Sequence, residues 1–193
     1  MFASAIRAAL LEGEADIAVH SFKDLPTGRP LGLAIGAVPA RADPRDALVA
    51  RDGLTLHDLP QEASVGTGSP RRAAQLLAVR PDLTIVDIRG NVDTRLGRVK
   101  GLGRYAKNGG KEDLDAVVLA ASGLARLGHS GAVTEFLDPS VVLPAPAQGA
   151  LAVECRTADS RHGKLAKALA RIDDRRTRPV SYTHLTLPTT PYV

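Results

Sequence analysis

The chain has 193 residues, of which 44% are hydrophobic, so it can build one ordinary domain or two small ones, and disorder is not the default expectation. Its formal net charge of +4 suits an anionic partner. Aromatic residues make up only 3% and Trp is absent, which disfavours nucleic acid because single-strand binders stack bases on aromatic side chains.

The first predicted element is a helix. Apolar residues recur at helical spacing from Phe2 to Leu10, and Gly13 ends the pattern. Acidic residues follow too early for a signal peptide, and no apolar run along the chain approaches the roughly 18 residues of a membrane span. We therefore expect a cytoplasmic protein without a membrane partner.

Two short apolar runs follow, separated by a polar loop. The run 16–19 predicts a buried strand that ends in the polar, proline-containing loop 20–26, and 31–38 is a second apolar run. Ligands bind at such strand ends in open α/β sheets. Prolines and small residues at 39–44 indicate a connection between domains, with a boundary near residue 42.

Strand-like and helical patterns alternate after this connection. The strand-like runs are 47–49, 83–88 and 116–119, and the helical patterns are 70–79, 92–100 and 122–128. This alternation predicts a mainly parallel sheet covered by helices.

A second proline-rich segment at 144–149 precedes a predicted strand at 151–154 and a predicted helix at 160–172. Two crossings predict an α/β fold in which a second domain, 43–143, is inserted into a discontinuous first domain, 1–42 and 144–173. From Ser181 onward the composition changes, and no Asp, Glu, Lys or Arg occurs. We therefore expect 174–193 to be a tail outside the native fold.

The segment 65–72, VGTGSPRR, predicts an anion site at the start of a helix. Ser69 suits the N-cap and Pro70 the first helical position, so unpaired backbone N–H groups follow. Arg71 and Arg72 oppose the helix dipole, and a bound carboxylate or phosphate would offset that cost. An ordinary capped helix with two solvated arginines accounts for the same residues, and both interpretations stay open.

The segment 89–95, RGNVDTR, repeats this arrangement. A buried strand leads into Arg89, and Asn91 can cap the following helix, which carries Arg95. A structural turn with surface arginines is the alternative. Two such segments in one domain favour a ligand with several negative groups.

Lys23 and Asp24 form a third candidate constellation, beside His20 and Ser21. A surface ion pair of little consequence is one interpretation. With four arginines in the same site, Asp24 would instead be the lone carboxylate, suited to stabilise a cationic intermediate, while Lys23 would bind another anionic group. His20 is either a group that titrates near neutral pH or a structural hydrogen-bonding side chain.

Several motifs in this order resemble the hydroxymethylbilane synthase (porphobilinogen deaminase) family over roughly residues 2–173. The matching segments are 16–26 (DIAVHSFKDLP), 43–47 (DPRDA), 66–72 (GTGSPRR), 89–91 (RGN), 94–96 (TRL), 121–128 (ASGLARLG), 143–150 (LPAPAQGA) and 154–156 (ECR).

The resemblance implies a monomeric transferase of tetrapyrrole biosynthesis that condenses four porphobilinogen molecules into hydroxymethylbilane, with loss of ammonia at each addition. It implies two domains like those of periplasmic binding proteins and a dipyrromethane cofactor on which the product grows. Asp24 would stabilise positively charged pyrrole species. The residues implied to bind the acetate and propionate groups of cofactor and substrate are Ser21, Lys23, Thr67, Ser69, Arg71, Arg72, Arg89, Arg95, Arg126 and Gln148.

The resemblance is partial. The family has strands before the first helix of this chain, and a third domain beyond residue 173 whose cysteine bears dipyrromethane through a thioether. We therefore expect an inactive piece of such an enzyme, with an incomplete first domain and no cofactor-attachment cysteine. Cys155, the one cysteine of the chain, is expected to be a small buried side chain, and it offers neither a disulfide nor a metal cluster.

Two other hypotheses remain. A non-catalytic anion-binding module could share the two-domain architecture, because a fold does not settle a function. The loop 20–26 together with both arginine segments argues against that hypothesis. Alternatively, the piece does not fold stably, because absent strands would leave an exposed sheet edge in the first domain.

Overall fold

The computed structural model describes residues 2–26, 28 and 30–179. The helices are α1 (Phe2–Glu12), α2 (Pro70–Val79), α3 (Val92–Leu96), α4 (Ala121–Arg126) and α5 (Gly163–Ile172). The strands are β1 (Ala18–Ser21), β2 (Leu33–Ala37), β3 (Asp46–Ala50), β4 (Ser64–Gly66), β5 (Thr84–Val86), β6 (Ala116–Ala120), β7 (Glu135–Phe136) and β8 (Leu151–Arg156). None of the helices among these residues is long and apolar enough to span a membrane.

The chain divides into two compact units. The first contains the described residues of Met1–Ala42 and Pro146–Val193, and the second is Asp43–Ala145. The chain therefore leaves the first unit after Ala42 and returns to it after Ala145, whereas the sequence pattern places the return after residue 143.

The first unit is built on a three-stranded antiparallel sheet with the order β1-β8-β2. Side chains of β8 alternate between its two faces: Ala152 packs with Phe22, whereas Val153 and Cys155 pack with Leu169 of α5. The central strand is thus covered on both faces, which explains the apolar residues Ala152, Val153 and Cys155 within it.

Residues 174–179 pack against this unit, so the expectation that they lie outside the fold is wrong. The Arg178 guanidinium binds the Asp173 carboxylate at 2.8 Å and donates to the Gly36 carbonyl at 3.1 Å. The Arg41 amide donates to Thr177 Oγ1 at 3.0 Å. The compositional change begins only at Ser181 and carried no information about these polar side chains; residues 180–193 lie outside the described part of the chain.

The second unit contains a five-stranded sheet with the order β5-β4-β6-β3-β7. The strand β4 is parallel to β5 and β6, but β3 is antiparallel to β6 and β7. The prediction of a mainly parallel sheet is therefore wrong, and the sheet is mixed. Alternating helix and strand patterns fix the direction only of strands joined by a helical crossover, such as β4 and β5 around α2.

Two core layers cover this sheet. Because β3 and β6 are buried on both faces, their alternate side chains enter opposite layers. One layer contains Leu48, Ala50, Ala116 and Val118, and the other contains Ala47, Val49, Val117 and Leu119.

Two local predictions differ from the structure. The strand β4 is missing from the sequence prediction because its three residues end in Gly66 and are too few to show a period. The helix predicted over 92–100 ends at Leu96, since Val99 instead pairs with Leu114 in a parallel bridge. Gly97 also packs tightly there: an added Cβ would lie 2.5 Å from Ala106 Cβ.

A buried carboxylate joins several segments of the second unit. Asp115 accepts hydrogen bonds from the Ser64 amide at 2.9 Å, Arg51 Nε at 2.9 Å and Lys100 Nζ at 2.8 Å. Burial acts to raise the pKa of Asp115, but the hydrogen bonds from Lys100, Ser64 and Arg51 outweigh it, so the pKa lies well below its ordinary value. The ionised carboxylate therefore stabilises the fold.

We predict that Asp115→Asn lowers the free energy of unfolding by about 2 kcal/mol, because it removes a buried charge that accepts hydrogen bonds from Ser64 and from the partly exposed Arg51 and Lys100. Since the folded-state pKa is depressed, this stabilisation is fully present above about pH 4 and is lost as the pH falls further. Urea unfolding at neutral and acidic pH measures both effects. Asp113→Asn is the matched control, because Asp113 pairs with Arg98 at the surface and should contribute less than about 1 kcal/mol; equal losses in the two variants would contradict the account.

Candidate functional site

The first candidate segment delivers the chain from β4 into α2. The Thr67 amide donates to the Val86 carbonyl at 3.0 Å, and Ser69 Oγ accepts from the Arg72 amide at 3.5 Å, which confirms Ser69 as the N-cap. Gly68 passes so close to the neighbouring segment that an added Cβ would lie 2.6 Å from the Ile88 carbonyl oxygen. Glycine is therefore required at this position by packing.

Arg71 and Arg72 follow in the first turn of α2, and an acid binds both. Asp46, fully buried, accepts from Arg71 Nη2 at 2.8 Å and from Arg72 Nη2 at 2.7 Å. Arg71 also donates to the Leu143 carbonyl, and Arg72 Nη1 to the Val118 carbonyl at 3.3 Å. The interpretation as two solvated arginines is therefore wrong; sequence reasoning missed Asp46 because it lies 25 residues before Arg71.

The second candidate segment leads into α3. Asn91 Oδ1 accepts from the Thr94 amide at 2.8 Å, which confirms the predicted cap, and Arg95 Nε donates to the Gly90 carbonyl at 2.9 Å. The Arg89 side chain is 85% exposed and lies 3.4 Å from the Asp87 carboxylate.

Arg72, Arg89 and Arg95 form an arginine cluster. Burial, together with the positive charges of Arg72 and Arg89, lowers the pKa of Arg95, and Asp87 offsets this only in part. An arginine with a lowered pKa is one whose charge the surrounding protein does not fully neutralise. The cluster is therefore an electrostatically suitable place for a bound anion.

The first unit holds Ser21, Lys23 and Asp24 in and just after β1. Ser21 is the last residue of β1, and a 3-10 turn at Phe22–Asp24 follows it. Phe22 is fully buried and its amide donates to the Ala150 carbonyl at 3.1 Å, whereas Asp24 is exposed. The buried phenyl ring thus anchors a turn that presents the acid to solvent.

Gln148 connects Lys23 to the segment by which the chain returns to the first unit. Its side chain is fully buried, and Oε1 accepts from Lys23 Nζ at 3.0 Å. Its backbone carbonyl accepts from Arg41 Nε at 2.8 Å. Gln148 in this conformation positions Lys23 and is not accessible to a ligand.

A buried ion cluster lies behind this turn. Glu154, 2% exposed, accepts from Arg7 Nε at 3.0 Å, and His20 Nε2 lies 3.3 Å from its Oε2. The Nε2 atom of His20 is buried beside Glu154 but makes no hydrogen bond with any described residue, so the structure does not show the predicted hydrogen-bonding role. Sequence reasoning missed Arg7 and Glu154, because Arg7 precedes its partner by 147 residues.

Arg126 and one cavity complete the description. Arg126 is exposed at the end of α4. A cavity of about 600 Å³ in the first unit is lined by Arg7, Arg161 and Glu154 among others, and none of the predicted site residues lines it. No cluster of three or more metal-ligating side chains occurs in the part of the chain that the structure describes.

Cys155 is fully buried in β8 against Leu169. Burial raises the pKa of the Cys155 thiol, and the negative charge of Asp159 acts in the same direction. Little reactive thiolate is present at neutral pH, which agrees with a packing role.

Comparisons with known proteins place these residues in context. A family model described as "Porphobilinogen deaminase, dipyromethane cofactor binding domain" matches residues 1–164. The chain is 99% identical over 178 residues to a porphobilinogen deaminase of Cutibacterium acnes, covering 92% of this chain and 53% of that protein. It is 56% identical over 195 residues to that of Micrococcus luteus, covering 92% and 52%. The chain thus spans about half the length of the curated relatives that it matches.

Solved structures support the fold. A nutrient-binding protein from Burkholderia cenocepacia bound to methionine is 14% identical with a TM-score of 0.52, covering 92% of this chain and 79% of that one. A putative methionine-binding lipoprotein from Bacillus subtilis is 12% identical with a TM-score of 0.52, covering 91% and 77%. These likenesses confirm the predicted α/β architecture of the periplasmic-binding-protein type.

We predict that iodoacetamide modifies Cys155 slowly in the native chain and rapidly in urea, because burial and a raised pKa both suppress attack by the thiolate. Intact-protein mass spectrometry after timed alkylation measures the two rates. Native alkylation as fast as that of the urea-unfolded chain would contradict the buried, structural assignment.

Proposed function

The chain belongs to the porphobilinogen deaminase family, and on that premise we propose that it supplies the substrate-binding arginines and the acidic residue of a hydroxymethylbilane synthase. This transferase condenses four porphobilinogen molecules into hydroxymethylbilane and releases ammonia at each addition. The observation that carries the proposal is the arginine cluster at the starts of α2 and α3, where Arg95 donates to the Gly90 carbonyl and where burial, with the charges of Arg72 and Arg89, lowers the pKa of Arg95.

The cluster suits a substrate with more than one carboxylate. Porphobilinogen carries an acetate and a propionate group, and a guanidinium binds a carboxylate through two parallel N–H groups. A bound carboxylate would relieve the repulsion among Arg72, Arg89 and Arg95 and would stabilise the charged form of Arg95. Thr67 and Ser69 belong to the proposed set at the start of α2, where buried Thr67 accepts from the Ser69 amide and Ser69 Oγ accepts from the Arg72 amide.

Asp24 provides an opposite charge, but it is not the lone carboxylate that the sequence predicted, since Asp46 binds Arg71 and Arg72 and Asp87 lies near Arg89. The structure leaves it exposed beside Lys23, whose ammonium group is held by Gln148. We assign Asp24 the electrostatic stabilisation of the positive charge that develops on a pyrrole when ammonia leaves. Lys23 binds a carboxylate of the substrate, and Gln148 fixes the position of Lys23. Ser21 and the exposed Arg126 complete the proposed carboxylate-binding set.

The residues present also fit a dipyrromethane cofactor, because Arg89 and Arg95 offer the cationic donors that its acetate and propionate groups require. When bound, dipyrromethane supplies the pyrrole carbon to which the first substrate unit is joined. Arg71, Arg72, Arg89 and Arg95 hold carboxylates in this proposal. Cys155 is no attachment point, since its thiol is buried and has a raised pKa. We therefore propose that this chain carries no covalent cofactor and makes no hydroxymethylbilane by itself.

The last part of the proposal concerns the location and the partners of the protein. We propose a cytoplasmic monomer that binds neither nucleic acid nor membrane. The single cysteine agrees with a reducing compartment, and the 3% aromatic content disfavours base stacking.

The substrate-binding role is tested by Arg95→Lys in this chain. We expect porphobilinogen to bind about tenfold or more weakly, because lysine keeps the charge but loses the planar pair of donors. Isothermal titration calorimetry measures the dissociation constant. Arg98→Lys is the matched control, because Arg98 is already bound to Asp113 at the surface; unchanged affinity in Arg95→Lys would argue against the proposed function.

The electrostatic role is tested in the longer Cutibacterium acnes relative. Asp24→Asn should lower kcat about 100-fold or more while KM changes little, since the lost interaction acts on developing charge. Steady-state kinetics with porphobilinogen gives both constants. Asp16→Asn serves as the control, because Asp16 is 81% exposed and pairs with Arg156. Near-normal turnover of Asp24→Asn would rule out this assignment.

A further inference from the structure

Asp46 is a buried acid at the first position of β3. It is fully buried, and its backbone carbonyl accepts from the Leu137 amide at 2.9 Å. A carboxylate in such a place is stable only when positive groups compensate for its lost hydration. The Asp46 carboxylate therefore requires positively charged partners, and it in turn restricts the orientation of those partners.

The partners are two adjacent arginines. Oδ2 of Asp46 accepts from Arg71 Nη2 at 2.8 Å, and Oδ1 accepts from Arg72 Nη2 at 2.7 Å. Each guanidinium has a second contact with a backbone carbonyl, that of Leu143 for Arg71 and that of Val118 for Arg72. Two contacts per planar group restrict the rotation of both guanidiniums.

The charges decide what this arrangement can do. One carboxylate opposes two guanidiniums, so a positive charge remains on this pair, and burial together with the charge of Arg72 lowers the pKa of Arg95. As a charge, Asp46 must weaken the binding of any nearby anion. By holding the Arg71 and Arg72 guanidiniums at a fixed spacing, however, Asp46 can strengthen the binding of a ligand that has two carboxylates at a matching spacing. The two roles therefore predict opposite effects of removing the charge.

We propose that Asp46 is a positioning residue, which holds the partly exposed Arg71 and the largely buried Arg72 in place for a substrate with two carboxylates. This inference rests on the proposed function, because it takes porphobilinogen as the ligand. Asp46 does not contact the substrate; it acts through the two guanidiniums and makes the site selective for a dicarboxylate over a single compact anion.

The test is Asp46→Asn in the full chain, which keeps the shape of the side chain but removes its charge. Calorimetric titrations with porphobilinogen and with inorganic phosphate measure two dissociation constants. We expect the constant for porphobilinogen to rise at least about tenfold, while that for phosphate stays equal or falls, because phosphate responds mainly to net charge. Unchanged or tighter porphobilinogen binding would overturn the proposal.

Asp43→Asn is the matched control. Asp43 lies three residues earlier and pairs with Arg45 at 2.7 Å, with 34% of its side chain exposed. The substitution Asp43→Asn removes the same charge from the same segment but leaves Arg71 and Arg72 untouched. The ratio of the dissociation constants for porphobilinogen and phosphate should therefore stay at the wild-type value. A ratio that shifts equally in both variants would show a general charge effect and would overturn the positioning role.

A measurement on the wild-type chain covers the case in which Asp46→Asn does not fold. Nitrogen-15 spectra of the arginine side chains report slow rotation of the Arg71 and Arg72 guanidiniums when both are held. If Asp46 positions them, these slow signals persist when porphobilinogen saturates the chain; their loss would mean that the ligand displaces Asp46, which overturns the proposal. Absence of any porphobilinogen binding by the wild type would instead reject the proposed function itself.

Discussion

Crowded positive charge is the constraint on which the second unit depends. Arg71 and Arg72 occupy the first turn of α2, where the helix dipole disfavours cations, and Arg95 lies within electrostatic reach of Arg72. The fully buried carboxylate of Asp46 offsets part of this unfavourable electrostatic energy by binding Arg71 and Arg72. It leaves the rest uncompensated, and burial together with this remaining charge lowers the pKa of Arg95. An anionic ligand is the natural complement of that remaining charge.

Sequence reasoning succeeded where the relevant interactions are local. The bounds of α2 and the caps at Ser69 and Asn91 follow from neighbouring residues, since a cap bonds an amide two or three residues away. Reasoning failed where partners are distant in the chain. Nothing near Asp46 reveals that it binds Arg71 and Arg72, and nothing near β3 reveals that it runs antiparallel to β6.

The first unit contributes a different chemistry, built around the turn at Phe22–Asp24. Burial of Phe22 holds the turn, and fully buried Gln148 holds Lys23, so Asp24 is left as the exposed acid. The motif identified these residues, but only the structure assigns Gln148 a supporting contact. Cys155 belongs to the packing of β8, and its burial and raised pKa separate it from the chemistry proposed for this chain.

The central claim is that the arginine cluster binds the carboxylates of porphobilinogen. A crystal structure of the chain soaked with porphobilinogen tests this claim most directly. The account predicts a substrate carboxylate within hydrogen-bond distance of the Arg95 guanidinium, about 3 Å, while Asp46 still binds Arg71 and Arg72. Porphobilinogen bound away from Arg89 and Arg95, with the cluster contacting only solvent, would contradict it.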